Sequence, residues 1–241
     1  PALPSTLSDS FFGLALRGFY GNLWNGPAAV IVFFVISGFC IHYPFVGAFR
    51  HPQVVEFYTR RFLRLLVPVA VAVPLARMCG VQLTLFHDSI LWSLLAELIY
   101  YVWYPLLRSA RLHLGGWRPL FFASYGAALI VTLMDPAAKD YPSYGPVLNW
   151  VLGLPCWILG CGLAEVVRRG AGDCPTVFAL WSWRIGTLAA AWLCSVLRFH
   201  SPVGYPWTLN LFAVLVAFWL DREIRYHQRV IPQKGLEWAG R

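Results

Sequence analysis

The stretch SILWSLLAELIYYVWYPLL, residues 89–107, decides how this chain is read. Its nearly unbroken apolar run approaches the roughly 20 residues that a helix needs to cross a bilayer. Glu97 stands at its middle. A carboxylate at that depth costs about 2.5–3.5 kcal/mol on insertion scales, so it faces a partner or a wet cavity. Of the eleven acidic residues it is the one placed deep in a span; the others fall in loops or near span ends. Glu97 is therefore a candidate catalytic residue. The competing reading is a hydrogen bond that packs its helix against a neighbour.

Working outward, the whole chain has the composition of a membrane protein. It is 59% apolar and 12% charged, whereas about a quarter of the residues of a soluble domain are charged. Seven stretches are long and apolar enough to span or nearly so, at about 27–47, 62–79, 89–107, 118–134, 147–164, 181–197 and 207–220. The expected fold is all-α, a polytopic integral membrane helical bundle with about seven transmembrane helices. Residues 1–26 read as an external segment and 221–241 as a cytoplasmic tail. No span carries the short apolar region and cleavage site of a secretory signal. Six cysteines without a CxxC pair read as small buried hydrophobes, with no metal site expected.

The arginines orient these spans. Arg50, Arg60, Arg61 and Arg64 follow the first; Arg108, Arg111 and Arg118 the third; Arg168, Arg169 and Arg184 the fifth; Arg222, Arg225, Arg229, Lys234 and Arg241 the seventh. The alternate loops hold only Arg17, Arg77, Lys139 and Arg198. The excess marks the cytoplasmic face, which puts the start of this chain outside and its end inside. The net charge of +8 then reflects topology and contact with anionic lipid rather than nucleic-acid binding.

Three segments can carry chemistry. In FFVISGFCIHYPF, residues 33–45, Ser37-Gly38 removes side-chain bulk at mid-span, so a helix or a substrate can come close. His42, nearer the cytoplasmic end, can bind a ligand or move a proton; equally, it can be an interfacial histidine with a hydrogen bond. In TRRFLRLLVP, residues 59–68, Arg60, Arg61 and Arg64 stand three and four apart and share a helix face. Guanidinium groups bind phosphates in a fork geometry and stay charged, which suits a coenzyme A thioester; snorkelling topological anchors are the other reading. At a rise of 1.5 Å per residue, Glu97 is expected about 10 Å or more deeper than these arginines, out of direct contact with them. In the third segment, Trp92, Ser93, Glu97, Tyr100 and Tyr104 form a polar and aromatic stripe, with His87 and Asp88 at its outer mouth. Such a stripe is expected to line a substrate path.

The order FFVISGF, then RRFLR with a following Pro, then WSLLAELIYYVWYPLL resembles the acyltransferase 3 family of integral membrane acyltransferases. LPCWILGCGLAE, residues 154–165, looks like that family's later Gly-containing span. The resemblance covers about residues 26–241. It implies O-acylation, commonly acetylation, of a sugar hydroxyl on a surface or exported glycan, with acyl-CoA as donor and no bound cofactor. By the family pattern Arg61 and Arg64 match its RxxR pair, Glu97 its WSLxxE element, and Ser37 and Gly38 its FFxxSG. The implied partners are acyl-CoA, a glycan or lipid-linked sugar and membrane lipid, in a bacterial inner membrane. The family's first span carries an Arg and a His taken as catalytic base, and nothing here matches it; His42 is not that residue. The expectation that follows is the middle seven of about ten spans, and a weakened activity for the chain by itself. Candidate residues are thus Glu97 and His42 for catalysis, Arg60, Arg61 and Arg64 for the donor, and Ser37, Trp92 and Tyr100 for substrate. A proton-coupled transporter or flippase, and a non-catalytic membrane remnant, are the readings from other classes.

Overall fold

The computed structural model describes residues 25–46, 52–80, 91–170 and 172–229. Residues 1–24, the pair His87 and Asp88, Arg50 and the tail beyond Arg229 lie outside that range. Seven α-helices occur among the described residues: α1 (Gly26–His42), α2 (Pro52–Met78), α3 (Leu91–His113), α4 (Trp117–Met134), α5 (Gly145–Arg168), α6 (Val177–His200) and α7 (Tyr205–Arg229). No strand occurs among them. The all-α reading holds. A short 3₁₀ turn, Tyr43–Phe45, prolongs α1, and another, Tyr141–Tyr144, leads into α5.

Local chemistry explains several of the ends. Asn25 caps α1 by accepting the Ala28 N–H at 3.0 Å, and Pro27 in the first turn needs no backbone donor there. The Asn25 amide also donates to the Ala191 carbonyl on α6 at 2.8 Å, which ties two helices at that end. Thr176 caps α6 in the same way through the Ala179 N–H. Pro68 and Pro74 interrupt the hydrogen-bond ladder of α2 without ending it, as neighbours in a bilayer permit.

Among the described residues, four segments are long and apolar enough to cross a membrane: Gly26–Phe45, Trp117–Met134, Tyr141–Arg168 and Val177–His200. The other three helices have the length, at 27, 23 and 25 residues for α2, α3 and α7. They are less apolar for visible reasons. α2 carries Glu56 and four arginines, α3 is rich in Tyr and Trp around Glu97, and α7 runs on into a charged end from Asp221 to Arg229.

α5 is the hub, packing on α1, α3, α4 and α7. Its seam with α1 is close enough for backbone to meet backbone. The Gly38 α-carbon faces the backbone of Trp157 and Cys161, and that of Gly160 faces the backbone of Val35 and Phe39, with no room for a Cβ at either. The Cys161 thiol reaches the Gly38 carbonyl at 3.4 Å. Small residues let two backbones meet, which in a bilayer supplies packing that lipid exclusion does not. α2 lies at the edge of the bundle and leans on α3. Its Val55, Leu63, Leu66, Val67, Val71 and Leu75 are exposed, as expected of a face turned to acyl chains.

Candidate active site

The α1–α5 seam fixes the position of Ser37, one residue before Gly38. The Trp157 indole N–H donates to the Ser37 hydroxyl at 3.3 Å. That hydroxyl in turn donates to Oε1 of Glu97. Glu97 is 0% exposed, so three helices converge on one buried carboxylate. The Tyr101 hydroxyl, also on α3, is a second hydrogen-bond partner of this carboxylate. A buried carboxylate needs donors around it, and a substrate hydroxyl is a group that can supply one.

A cavity of about 550 Å³ opens onto this carboxylate. Its walls are Ile36, Ser37 and Cys40 of α1, Arg61, Arg64, Pro68 and Val73 of α2, and Glu97 and Tyr101 of α3. The Arg61 guanidinium donates to the Cys40 carbonyl at 3.3 Å, three residues along α1 from Ser37. At 1.5 Å per residue that is a rise of about 4.5 Å. The arginine head is thus closer to the Glu97 level than the expected 10 Å or more, because its long side chain reaches up the cavity wall. Arg60 does not join it. Its guanidinium pairs with Glu56 at 2.5 Å, one turn earlier, and its side chain is 78% exposed.

The aromatic stripe of α3 divides between two neighbours. Trp92, Ser93 and Leu94 line a second cavity of about 820 Å³ beside the start of α3, with Asp140, Tyr141 and Ser143 opposite. Trp92 meets the ring of Tyr141 edge-on at 5.7 Å. Tyr100 and Tyr104 turn the other way, against Trp157. Tyr100 is fully buried, its hydroxyl donating to the Trp150 carbonyl at 2.6 Å, and it lines neither cavity. The substrate role expected of Tyr100 therefore has no cavity wall to act from.

His42 occupies a separate buried centre at the arginine-rich end. Its Nδ1 lies 3.0 Å from the Tyr104 hydroxyl. Its Nε2 lies 3.1 Å from the Trp117 indole N–H and 3.2 Å from Glu165 Oε1. The two Nε2 contacts demand opposite protonation: a bare nitrogen accepts from Trp117, and a protonated one donates to Glu165. Arg111 closes the group through an ion pair with Glu165 Oε1 at 2.6 Å, and Arg169 approaches Oε2 at 3.3 Å. His42 is not among the residues lining either cavity.

Glu165 is the residue that sequence reasoning missed. It stands near a span end, but it is buried beneath Arg111 and His42. Its one linear signal was a carboxylate at the inner edge of an apolar run that also holds Arg168 and Arg169.

A family model described as an acyltransferase domain matches residues 6–231. The chain belongs to the acyltransferase 3 family. It is accordingly an integral membrane acyltransferase, in keeping with its four strongly apolar helices. Among curated proteins, and among solved structures, none matches it. Within this acyltransferase 3 chain the matched region contains Ser37, Arg61, Arg64 and Glu97 together.

Proposed function

We propose that this acyltransferase moves an acyl group, acetyl in the simplest case, from acyl-CoA to a hydroxyl of a surface or exported glycan. The observation that carries the reading is one cavity holding Arg61 and Arg64 together with Ser37 and the buried Glu97. The two guanidinium groups suit the phosphates of the donor, and the apolar wall from Leu65 to Val73 suits its uncharged arm. Arg60, turned to Glu56 instead, takes no part. In orientation, the arginine-rich ends face the cytoplasm of a bacterial inner membrane and the Trp92 end faces outward. The second cavity, with Trp92, Tyr141, Asp140 and two serines, offers aromatic faces and hydrogen-bond partners to a sugar.

In the reaction the acceptor oxygen attacks the thioester carbonyl, the C–S bond breaks, and the thiol leaves with CoA. The hydroxyl proton must be held as the new C–O bond forms. Glu97, on the wall of the donor cavity with Ser37 bonded to its Oε1, is the carboxylate placed to accept it. Positioned acid–base help of this kind is worth about 10²–10⁴-fold.

Acetyl-CoA binding to the purified chain in detergent micelles tests the reading. The Arg61→Ala/Arg64→Ala double variant is expected to lose affinity by at least about a hundredfold, at roughly 1.5 kcal/mol or more for each bond to a charged group. Arg60→Ala should bind as the native chain does. Equal losses in Arg60→Ala would reduce the arginines to a topological anchor, and no acetyl-CoA binding to the folded native chain would remove the proposed donor site.

A further inference from the structure

Phe33 on α1 and Leu94 on α3 are the only two residues, among those described, that line both cavities. On α1 the outer cavity is lined from Gly26 to Phe33 and the donor cavity from Phe33 to Cys40. On α3 the donor cavity, lined from Leu91 to Tyr101, runs beside the outer one at Trp92 to Leu94. Phe33 lies four residues from Ser37 and Leu94 three from Glu97, each an axial rise of about 4.5–6 Å. Each is apolar, and neither is locked in the core: Phe33 is 41% exposed and Leu94 half-buried.

We infer that Phe33 and Leu94 form an apolar septum between the donor cavity and the outer cavity, the place where the acceptor hydroxyl meets the thioester. The inference rests on the proposed function for the contents of the two cavities, but the septum itself is a physical barrier that can be measured without substrate. Its chemical consequence follows from what lies on either side. An acyl thioester beside Glu97 reacts with whatever oxygen nucleophile reaches it. Water arriving from the outer cavity would attack the carbonyl, break the C–S bond and give the free acid and CoA thiol. Two bulky apolar side chains make that passage unfavourable for water or a charged group. A sugar hydroxyl, delivered by binding of the rest of the sugar outside, is carried past them. The septum thus selects transfer over hydrolysis and sets the width available to the acyl group.

Native cysteines supply the reporters. Cys40 lines the donor cavity, Cys79 lies just past the end of α2, and Cys174 lies in the α5–α6 loop at the opposite side. Spheroplasts expressing the full chain would be treated with a membrane-impermeant, positively charged maleimide, and labelling of each cysteine followed by mass spectrometry. Cys79 should label and Cys174 should not, which fixes the exposed face. In the native chain Cys40 should label slowly, and in Phe33→Ala/Leu94→Ala about tenfold or more faster, as an apolar barrier to a charged reagent is removed. Phe33→Leu, which keeps an apolar plug, should stay near the native rate. Equal Cys40 labelling in the native chain and the double alanine variant would overturn the septum.

A second measurement separates the septum from the donor reading. With purified chain and acetyl-CoA but no acceptor, the double alanine variant should release CoA thiol several-fold faster than the native chain. Faster Cys40 labelling without any acetyl-CoA binding to either chain would establish the septum and overturn the donor site. Acetyl-CoA bound by both, with neither labelling nor thiol release raised by the double variant, would do the reverse.

Discussion

Replacing Gly160 with Ala tests the seam on which the whole site depends. The added Cβ would fall against the Val35 carbonyl and the Phe39 backbone nitrogen, and the reciprocal Gly38→Ala would strike the Trp157 carbonyl. Both obstacles are main chain, so no rotamer change relieves them and α1 must move away from α5. Overpacking costs about 1–3 kcal/mol, occasionally more, and the backbone-on-backbone clash belongs at the upper end. Against it stands the ordinary gain of about 0.5–1 kcal/mol when a helical Gly becomes Ala. The net expectation is a loss of about 2 kcal/mol or more. Gly126 on α4 and Gly186 on α6 provide the control, because a Cβ there would meet nothing within 4 Å; their Ala variants should gain the propensity term alone. Reversible unfolding in mixed dodecyl-maltoside and SDS micelles, followed by tryptophan fluorescence, should separate the two pairs by about 3 kcal/mol. Gly160→Ala as stable as Gly126→Ala would refute the close approach of α1 and α5, and with it the geometry that brings Ser37 to Glu97.

Other expectations follow from single contacts. Glu97→Gln should keep acetyl-CoA binding while transfer to the acceptor falls by about 10²–10⁴-fold; full activity would remove Glu97 from the chemistry. Glu165→Ala leaves Arg111 without its 2.6 Å partner and His42 without one of its own. Breaking a buried pair costs about 3–5 kcal/mol, and Arg111 keeps 25% exposure, so a thermal-shift assay should show a loss near or below that lower bound. Trp157→Phe removes a neutral donor to Ser37 at 3.3 Å, worth about 0.5–1.5 kcal/mol, so kcat should drop by up to about tenfold with the KM for acetyl-CoA held; a KM shift at constant kcat would contradict the positioning role. At the charged end of α7, the Arg184 guanidinium holds the Glu223 carboxyl below its ordinary value of 4.5. A lowered carboxylate stabilises the fold above that value and stops doing so as pH falls through its folded value. The stability gap between the native chain and Arg184→Gln should therefore be present at pH 7 and close as acidification passes below the ordinary carboxylate value of 4.5, as read by the same unfolding assay.

The helical bundle was legible because hydropathy reports the one thing a bilayer demands, internally satisfied backbone over some 20 residues. Glu97 was legible for the same reason: a charge at mid-span stands out against its neighbours. What linear spacing handled less well was direction. Arg60, Arg61 and Arg64 share a face by their three- and four-residue spacings, yet the face is wide enough to serve two destinations. The separating signal was present in Glu56, four residues before Arg60, in the order that favours a helical ion pair. The α3 stripe likewise serves two destinations, a cavity at Trp92 and a packed helix at Tyr100 and Tyr104. The His42–Glu165 contact spans 123 positions, and only tertiary packing brings those two residues together; nothing local at either end announces the other.

The two halves of the candidate site are built on supports of different kinds. Ser37, Glu97 and Trp157 sit on α1, α3 and α5, which bury one another around the glycine seam, so the reacting level is held by the densest packing in the chain. Arg61 and Arg64 sit on α2, which leans on the bundle edge and shows most of its length to the surroundings. A donor with several negative charges needs a point of entry more than a rigid frame, and long arginine side chains on an edge helix supply one without disturbing the core. Proton transfer is intolerant of misplacement by even an ångström, which calls for the opposite support. The placement of charge at the edge and the carboxylate at the seam is therefore what a membrane acyltransferase would require if its donor enters from one side and reacts at mid-depth. It also explains why the arginines and Glu97 occupy one cavity while standing on separate structural layers.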